Sequence, residues 1–250
     1  MTSTAAQDRV EILGCTIDAL DMEETVARCE ELIRRDDGFS QHMAINVAKL
    51  VNLQKDEEPA GIVAESALVN ADGQGVVWAA RLLGRPLPGR VAGIDLMHRL
   101  LALSAARGYR VYVLGAEREV LERAVGLLRE EHPALQFAGW HDGWFSAEET
   151  EAVCADIRES APDILFVAMS TPGKEQFLAK HGPGLGVPFA MGVGGAIDVV
   201  AGVTKRAPVG WQRLGMEWLY RLLQEPRRMF RRYAQTNLAF AVMLMRELVR

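Results

Sequence analysis

Apolar positions along the chain alternate between two periods. Short, mostly apolar runs rich in β-branched residues cover 42–46, 67–71, 109–114, 135–140, 163–169 and 187–193, and they predict strands. Between them, apolar residues recur at three- and four-residue intervals over 22–35, 47–57, 75–83, 96–107, 117–131, 147–160 and 174–181, predicting helices. Asp21, with Glu24 three positions later, predicts a capping box at the first helix. The segment 164–169 is apolar at every position, as in a strand covered on both faces. The alternation predicts an α/β fold: a Rossmann-like, mainly parallel sheet with helices on both faces. Ligands of such sheets sit beyond the carboxyl ends of the strands.

Several of those ends run into polar or glycine-rich turns. One strand ends at Asn46, and the next leads into Asn70-Ala-Asp-Gly-Gln-Gly75. Two more end in Leu114-Gly-Ala-Glu117, which holds Gly115 and Ala116, and in Met191-Gly-Val-Gly-Gly-Ala-Ile-Asp198, which holds Gly194. Glycine between a strand and a helix lets backbone N–H groups approach an anion. Neither turn completes a G-x-G-x-x-G or a Walker loop, which disfavours a dinucleotide cofactor or a P-loop nucleotide.

Asp72 reads in two ways. It is the N-cap of the next helix, or a general base whose carboxyl is raised by partial burial and tuned by a cation such as Arg90. No Asp-x-Asp pair is present, so no metal ligand set is predicted, and a diphosphate leaving group then needs protein cations. Trp144 packs a turn or stacks on a base. Asp198 caps a helix or accepts ribose hydroxyls. Lys174 and Glu175 form either a solvated first helical turn or part of a site.

Composition narrows the class. The chain has 250 residues, 49% of them apolar and 24% charged, enough for one large domain with an appendage. Three well-separated cysteines argue against a disulfide framework, and neither they nor the five scattered histidines have zinc spacing. The N-terminal residues lack a basic-then-apolar signal, and the late uncharged run 233–245 is shorter than the roughly 20 residues a spanning helix needs. These features predict a cytoplasmic protein, at most peripheral on the inner face of the cell membrane.

Charge is distributed unevenly. Residues 204–232 carry eight Lys/Arg and two Glu, a balance of +6 in a chain of net −5, so the remainder carries −11. Such polarity suits a diphosphate or an anionic membrane surface rather than nucleic acid. The division expected is a Rossmann-like α/β domain over 1–203 and a basic, aromatic, helical, membrane-associating appendage over 204–250. Trp211, Leu214, Trp218, Leu219 and Leu222 recur at helical spacing, which fits core packing as well. Four arginines within 227–232, followed by the apolar 238–245, fit an interfacial helix. An exposed aromatic tail also makes a homo-oligomer an expected outcome.

These motifs, in this order and spacing, resemble the WecG/TagA/CpsF glycosyltransferases, a family of bacterial cell-surface polysaccharide enzymes. The resemblance covers about 12–233. It rests on Ala71-Asp-Gly-Gln-Gly75, Arg90-Val-Ala-Gly-Ile-Asp-Leu96, Gly139-Trp-His-Asp-Gly-Trp-Phe145, Pro162-Asp-Ile-Leu165, Gly192-Val-Gly-Gly-Ala-Ile-Asp198 and Arg206-Ala-Pro208. It implies a Rossmann-like enzyme without cofactor or metal. Such an enzyme moves a hexose from a UDP-sugar to a polyprenyl-diphosphate-linked saccharide with inversion. Asp72 matches the family's proposed base, and Arg90 and Asn46 match active-site residues. Trp144 and Asp198 match nucleotide contacts, alongside the turns at Gly115, Ala116 and Gly194. Arg221, Arg228 and Arg231 match tail arginines that complete the site at the membrane.

Two departures from the family pattern bear on the donor. Ala44 stands where the family commonly has Thr, and Lys174 where it commonly has Gln. A hydroxyl and an amide near the sugars become a methyl and a cation, so N-acetylmannosamine, glucose and a uronic acid all stay open as the transferred sugar. The competing readings are a nucleotide-cofactor oxidoreductase on the same sheet and a non-catalytic peripheral membrane adaptor.

Overall fold

The computed structural model describes residues 9–35, 38–224 and 226–249, with the side chains at 213, 227–229 and 231–233 outside that description. The chain opens with a hairpin, β1 (Arg9–Ile12) and β2 (Cys15–Asp18), that the hydrophobic pattern leaves unpredicted. Its two-residue turn holds Leu13 at φ 51° and Gly14 at φ 75°, a doubly left-handed conformation that matches strand twist. Leucine seldom marks such a turn, so the sequence signal is weak.

Next come α1 (Met22–Arg34), β3 (Ser40–Ile45), α2 (Val47–Leu53), α3 (Glu57–Glu65), β4 (Leu68–Ala71), α4 (Gln74–Leu82) and α5 (Gly93–Arg107). They are followed by β5 (Arg110–Gly115), α6 (Arg118–Glu131), β6 (Gln136–His141), α7 (Thr150–Ser160), β7 (Ile164–Ala168), α8 (Gly173–His181) and β8 (Phe189–Gly192). The short α9 (Ala196–Val200) precedes α10 (Val209–Arg213), α11 (Glu217–Gln224) and α12 (Pro226–Leu248).

The last six strands form one sheet in the order β4-β3-β8-β7-β5-β6. The pairings of β3 with β8, β8 with β7, β7 with β5 and β5 with β6 are parallel. This is the expected Rossmann-like α/β fold. Each predicted strand is present, and every residue of β7 is buried, as its continuous apolar run requires. The helix expected over 47–57 ends at Leu53, and a further helix that the pattern leaves unpredicted, α3, follows it. Asp56 starts α3: its side chain accepts the Glu58 N–H at 3.1 Å.

The chain divides into two compact units. The first comprises Met1–Thr25, Ala44–Ala92 and Ala207–Arg250. Within it, buried Asp18 accepts Arg9 Nε at 2.8 Å and the Val69 N–H at 2.7 Å, fastening the hairpin to β4. The predicted capping box is formed: the Asp21 N–H donates to Glu24 at 2.8 Å and the Glu24 N–H to Asp21 at 2.9 Å. The helix α12 packs against α2, and its last turn pairs Glu247 with Arg85 at 3.5 Å.

The second unit comprises Val26–Met43 and Gly93–Arg206. Its core joins Tyr112 and Leu114 of β5 and Leu165 and Val167 of β7 to Ile157 of α7 and Phe177 of α8. Burying side chains of this size stabilises the fold by about 1.5–3 kcal/mol each. At the outer strand, Arg129 lies 5.5 Å from the Phe137 ring and 4.9 Å from Trp140, shielding an edge that is otherwise open to pairing. All three cysteines are free and buried. Burial pushes the Cys15 thiol up to about 11 and the Cys29 thiol higher still, so both stay protonated at neutral pH.

Candidate active site

In the first unit, three predicted site residues are gathered by backbone hydrogen bonds at the end of β4. The Asp72 N–H donates to the Ile45 carbonyl at 2.8 Å, which places Asp72 beside Asn46. The Val91 N–H donates to the Ala71 carbonyl at 2.9 Å, which brings Arg90 to the same strand end. The Asn46 Oδ1 accepts the Lys49 N–H at 3.0 Å and caps α2. A Cβ at Gly73 would lie 3.3 Å from the Asn46 Cβ, so the two loops are in near contact. The N-cap position of α4 belongs to Gly73. Asp72, half-buried at the strand end, stands one position before it.

The C-terminal helices reach this cluster. Arg90 Nη1 forms a short ion pair with Glu217 in the first turn of α11, with the two side chains only 15% and 26% exposed. Gly215, at φ 69°, lies so close to Gln74 at the start of α4 that a Cβ there would meet Gln74 Cγ at 2.3 Å. Trp211 and Tyr220 stack edge to face with centroids 5.8 Å apart, tying α10 to α11. Arg221 is exposed on α11. Arg228 and Arg231 lie along α12, and their side chains fall outside the described residues.

The second unit holds the other predicted residues. Gly115 sits at φ 123°, and a Cβ there would fall 2.5 Å from the Ala168 carbonyl carbon, so only glycine fits. Ala116 is also left-handed, at φ 62°; its N–H donates to Ala168 at 3.1 Å and its carbonyl accepts the Gly143 N–H at 2.9 Å. The ends of β5 and β7 and the turn after β6 are thus locked together through main chain. Gly194 takes φ 50° while donating to the Val167 carbonyl at 3.3 Å. Half-buried Asp198 follows on α9, its carbonyl accepting the Val203 N–H at 2.9 Å.

Trp144 projects into solvent, 76% exposed, from a turn organised by a residue that sequence reasoning passed over. That residue is buried Asp142. It accepts the Trp144 N–H at 3.0 Å and holds Arg118 at 2.8 Å. Burial alone would raise the Asp142 carboxyl; the Trp144 N–H, the Arg118 guanidinium and His141 outweigh it, and the carboxyl titrates below its ordinary range. The flanking pattern His141-Asp-Gly-Trp144 was the available signal: an Asp whose carboxylate accepts the N–H two residues on is a turn former.

Lys174 and Glu175 do not form a solvated first turn. Their side chains are 12% and 8% exposed, 3.1 Å apart, and Lys174 Nζ also donates to Thr171. The Lys174 stem covers Gly192, where a Cβ would meet Lys174 Cδ at 2.9 Å. Arg206 of the Arg-Ala-Pro motif makes a bidentate pair with Asp95 at 2.6 and 2.7 Å, so two of the motifs meet in one salt bridge. The fold also brings His98, Glu131 and His132 within 4.8 Å of one another, although 33 residues separate the first two in sequence.

Comparison with known proteins decides the family. The sequence profile of the glycosyl transferase WecG/TagA/CpsF family matches residues 10–250. The chain belongs to this family. A similar protein from Staphylococcus aureus (strain MW2) is 32% identical over 224 residues, 89% of this chain and 87% of its own length. Another, from Bacillus spizizenii (strain ATCC 23059 / NRRL B-14472 / W23), is 35% identical over 167 residues, 67% of this chain and 64% of its own length. Both are named N-acetylglucosaminyldiphosphoundecaprenol N-acetyl-beta-D-mannosaminyltransferase. The protein is thus a glycosyltransferase enzyme. Among the described residues, no helix is long and apolar enough to cross a membrane.

Proposed function

We propose that this glycosyltransferase moves an N-acetylhexosamine from a UDP-sugar to a saccharide carried on polyprenyl diphosphate, with inversion and without a metal. The names of the relatives support N-acetylmannosamine as the sugar and an N-acetylglucosaminyl diphospholipid as the acceptor. The observation that carries the mechanism is the gathering of Asn46, Asp72 and Arg90 at one strand end, with the N-cap position of α4 held by Gly73. In this reading Asp72 takes the proton from the acceptor hydroxyl as that oxygen attacks the anomeric carbon and UDP leaves. Asn46 presents its amide to a sugar. Arg90, Arg221, Arg228 and Arg231 offset charge developing on the diphosphate. The turns at Gly115, Ala116 and Gly194, with Trp144 and Asp198, receive the nucleotide.

Residues 204–250 act in this proposal as the membrane-associating appendage, on the cytoplasmic face where the lipid acceptor lies. Support comes from the exposed Trp218, Leu223, Phe230, Leu238 and Met245 on helices that also carry the arginine cluster. Lys174, its side chain largely withdrawn from solvent and paired with Glu175, is a candidate for adjusting sugar choice. The test is a panel of UDP-sugars with a synthetic polyprenyl-diphosphate N-acetylglucosamine, read by product mass in the presence and absence of EDTA. Transfer of one N-acetylhexosamine, unchanged by EDTA, is expected. Vesicle binding without transfer from any donor would instead favour the adaptor reading.

A further inference from the structure

Glu217 is an acidic residue inside the most basic stretch of the chain, and sequence reasoning gave it no role. In the structure its carboxylate pairs with Arg90, more than a hundred residues away in sequence. Both groups are largely withdrawn from solvent, at 15% and 26% exposure, so neither charge is cheap to leave alone. Glu217 stands in the first turn of α11, where the positive end of the helix dipole favours a carboxylate. Arg221 follows four positions later on the same helix face, the orientation in which an acidic residue best supports a basic one. The carboxylate therefore pairs with one cation on the β4 side of the unit and shares its helix face with another on the tail.

We propose that Glu217 is a positioning residue that couples the seating of α11 to the aim of Arg90. A guanidinium has five N–H donors. With Nη1 committed to Glu217, the remaining donors keep a fixed direction and Arg221 is held on the same side. The helix is anchored at this point by chemistry rather than by packing. The close approach of Gly215 to Gln74 brings α11 to the mouth of α4, and the ion pair sets its rotation. A tail that is not seated leaves Arg90 without its carboxylate and free to turn away. This rests on the reading of Arg90 and Arg221 as diphosphate-binding cations; the ion pair itself does not.

The test combines one readout that depends on the reaction with one that does not. Amide hydrogen exchange over α11 is followed in full-length wild type, Glu217→Gln, Arg90→Gln and the double variant. Each single change is expected to speed exchange in α11 by about tenfold, and the double no more than either single, as for two partners of one contact. Additive effects, or no change, would overturn the coupling. In the transfer assay Glu217→Gln is expected to lower kcat by about tenfold or more while KM for the UDP-sugar moves less than about twofold, with Glu217→Asp recovering part of the loss. An unchanged kcat, or a fall in kcat matched by a fall in melting temperature and not recovered by Asp, would overturn the positioning role. If wild type transfers no sugar, the proposed function falls and the exchange cycle alone decides whether Glu217 couples the tail to Arg90.

Discussion

The strand end that carries Asp72 and the loops that carry Gly115, Trp144 and Gly194 are built by different means. Around Asp72, main-chain bonds bring Asn46 and Arg90 to the same place, and the Arg90 guanidinium finds its partner, Glu217, on a C-terminal helix. Around Gly115, the main chain itself is the construction: positive-φ Gly115 and Ala116 are clamped between Ala168 and Gly143, with no room for a Cβ at Gly115. The first arrangement depends on electrostatics and can respond to the tail. The second is rigid, set by close packing of backbone on backbone. In the proposed function the first serves the acceptor and the second the nucleotide.

The largest expected effect is at Asp72. Asp72→Asn keeps the shape and removes the base, so turnover should fall by about 10²–10⁴-fold while UDP affinity, measured by calorimetry, stays within about twofold. Retained turnover would remove Asp72 from the reaction. Neutralising the tail in Arg221→Gln/Arg228→Gln/Arg231→Gln should cost about 1 kcal/mol per charge at an anionic surface, or roughly 10²-fold in vesicle affinity, shrinking as salt is added. Equal binding to anionic and neutral vesicles would erase the electrostatic side of the comparison.

The rigid side is broken differently. Gly115→Val places a branched side chain against Ala168 at a φ that suits glycine, and should destabilise the protein by about 3 kcal/mol in urea unfolding, with Gly126→Ala as the uncrowded control. A loss no larger than that of the control would show the clamp to be loose. The smallest effect is at Asp142. Its carboxyl is held below its ordinary value in the folded protein, so the stability it contributes is complete above the unfolded value near 4 and is lost as pH falls through the folded value. Asp142→Asn should lower the urea midpoint at pH 7 by an amount worth about 1 kcal/mol and narrow that gap toward pH 3. A gap that does not change with pH would show that the Arg118 and Trp144 contacts do not depend on the charge.

How much was legible in advance depended on what each feature needed. All six sheet strands and most of the helices between them were readable because burial on both faces demands continuous apolar runs, and amphipathic packing demands a 3.6-residue period. The β1–β2 hairpin was not, because its turn uses Leu13 in a left-handed conformation that leucine does not advertise. Nor was α3, a short helix of nine residues whose start at Asp56 is decided by a cap. Lys174-Glu175 looked like an ordinary charged first turn. Only the fold covers it, pairing the two and laying the lysine stem over Gly192.

The sequence by itself determined the α/β class, the polar and glycine-rich strand ends, the polarity between an acidic body and a basic tail, and the resemblance to a glycosyltransferase family. Each of these is written in local order or in sums over residues, which folding does not alter. The tertiary structure decided which distant charges meet: Arg90 with Glu217, Arg206 with Asp95, Arg118 with Asp142. Those pairings depend on chain segments far apart in sequence arriving within about 3 Å of one another, and a charge pattern carries no record of that distance until the backbone has closed.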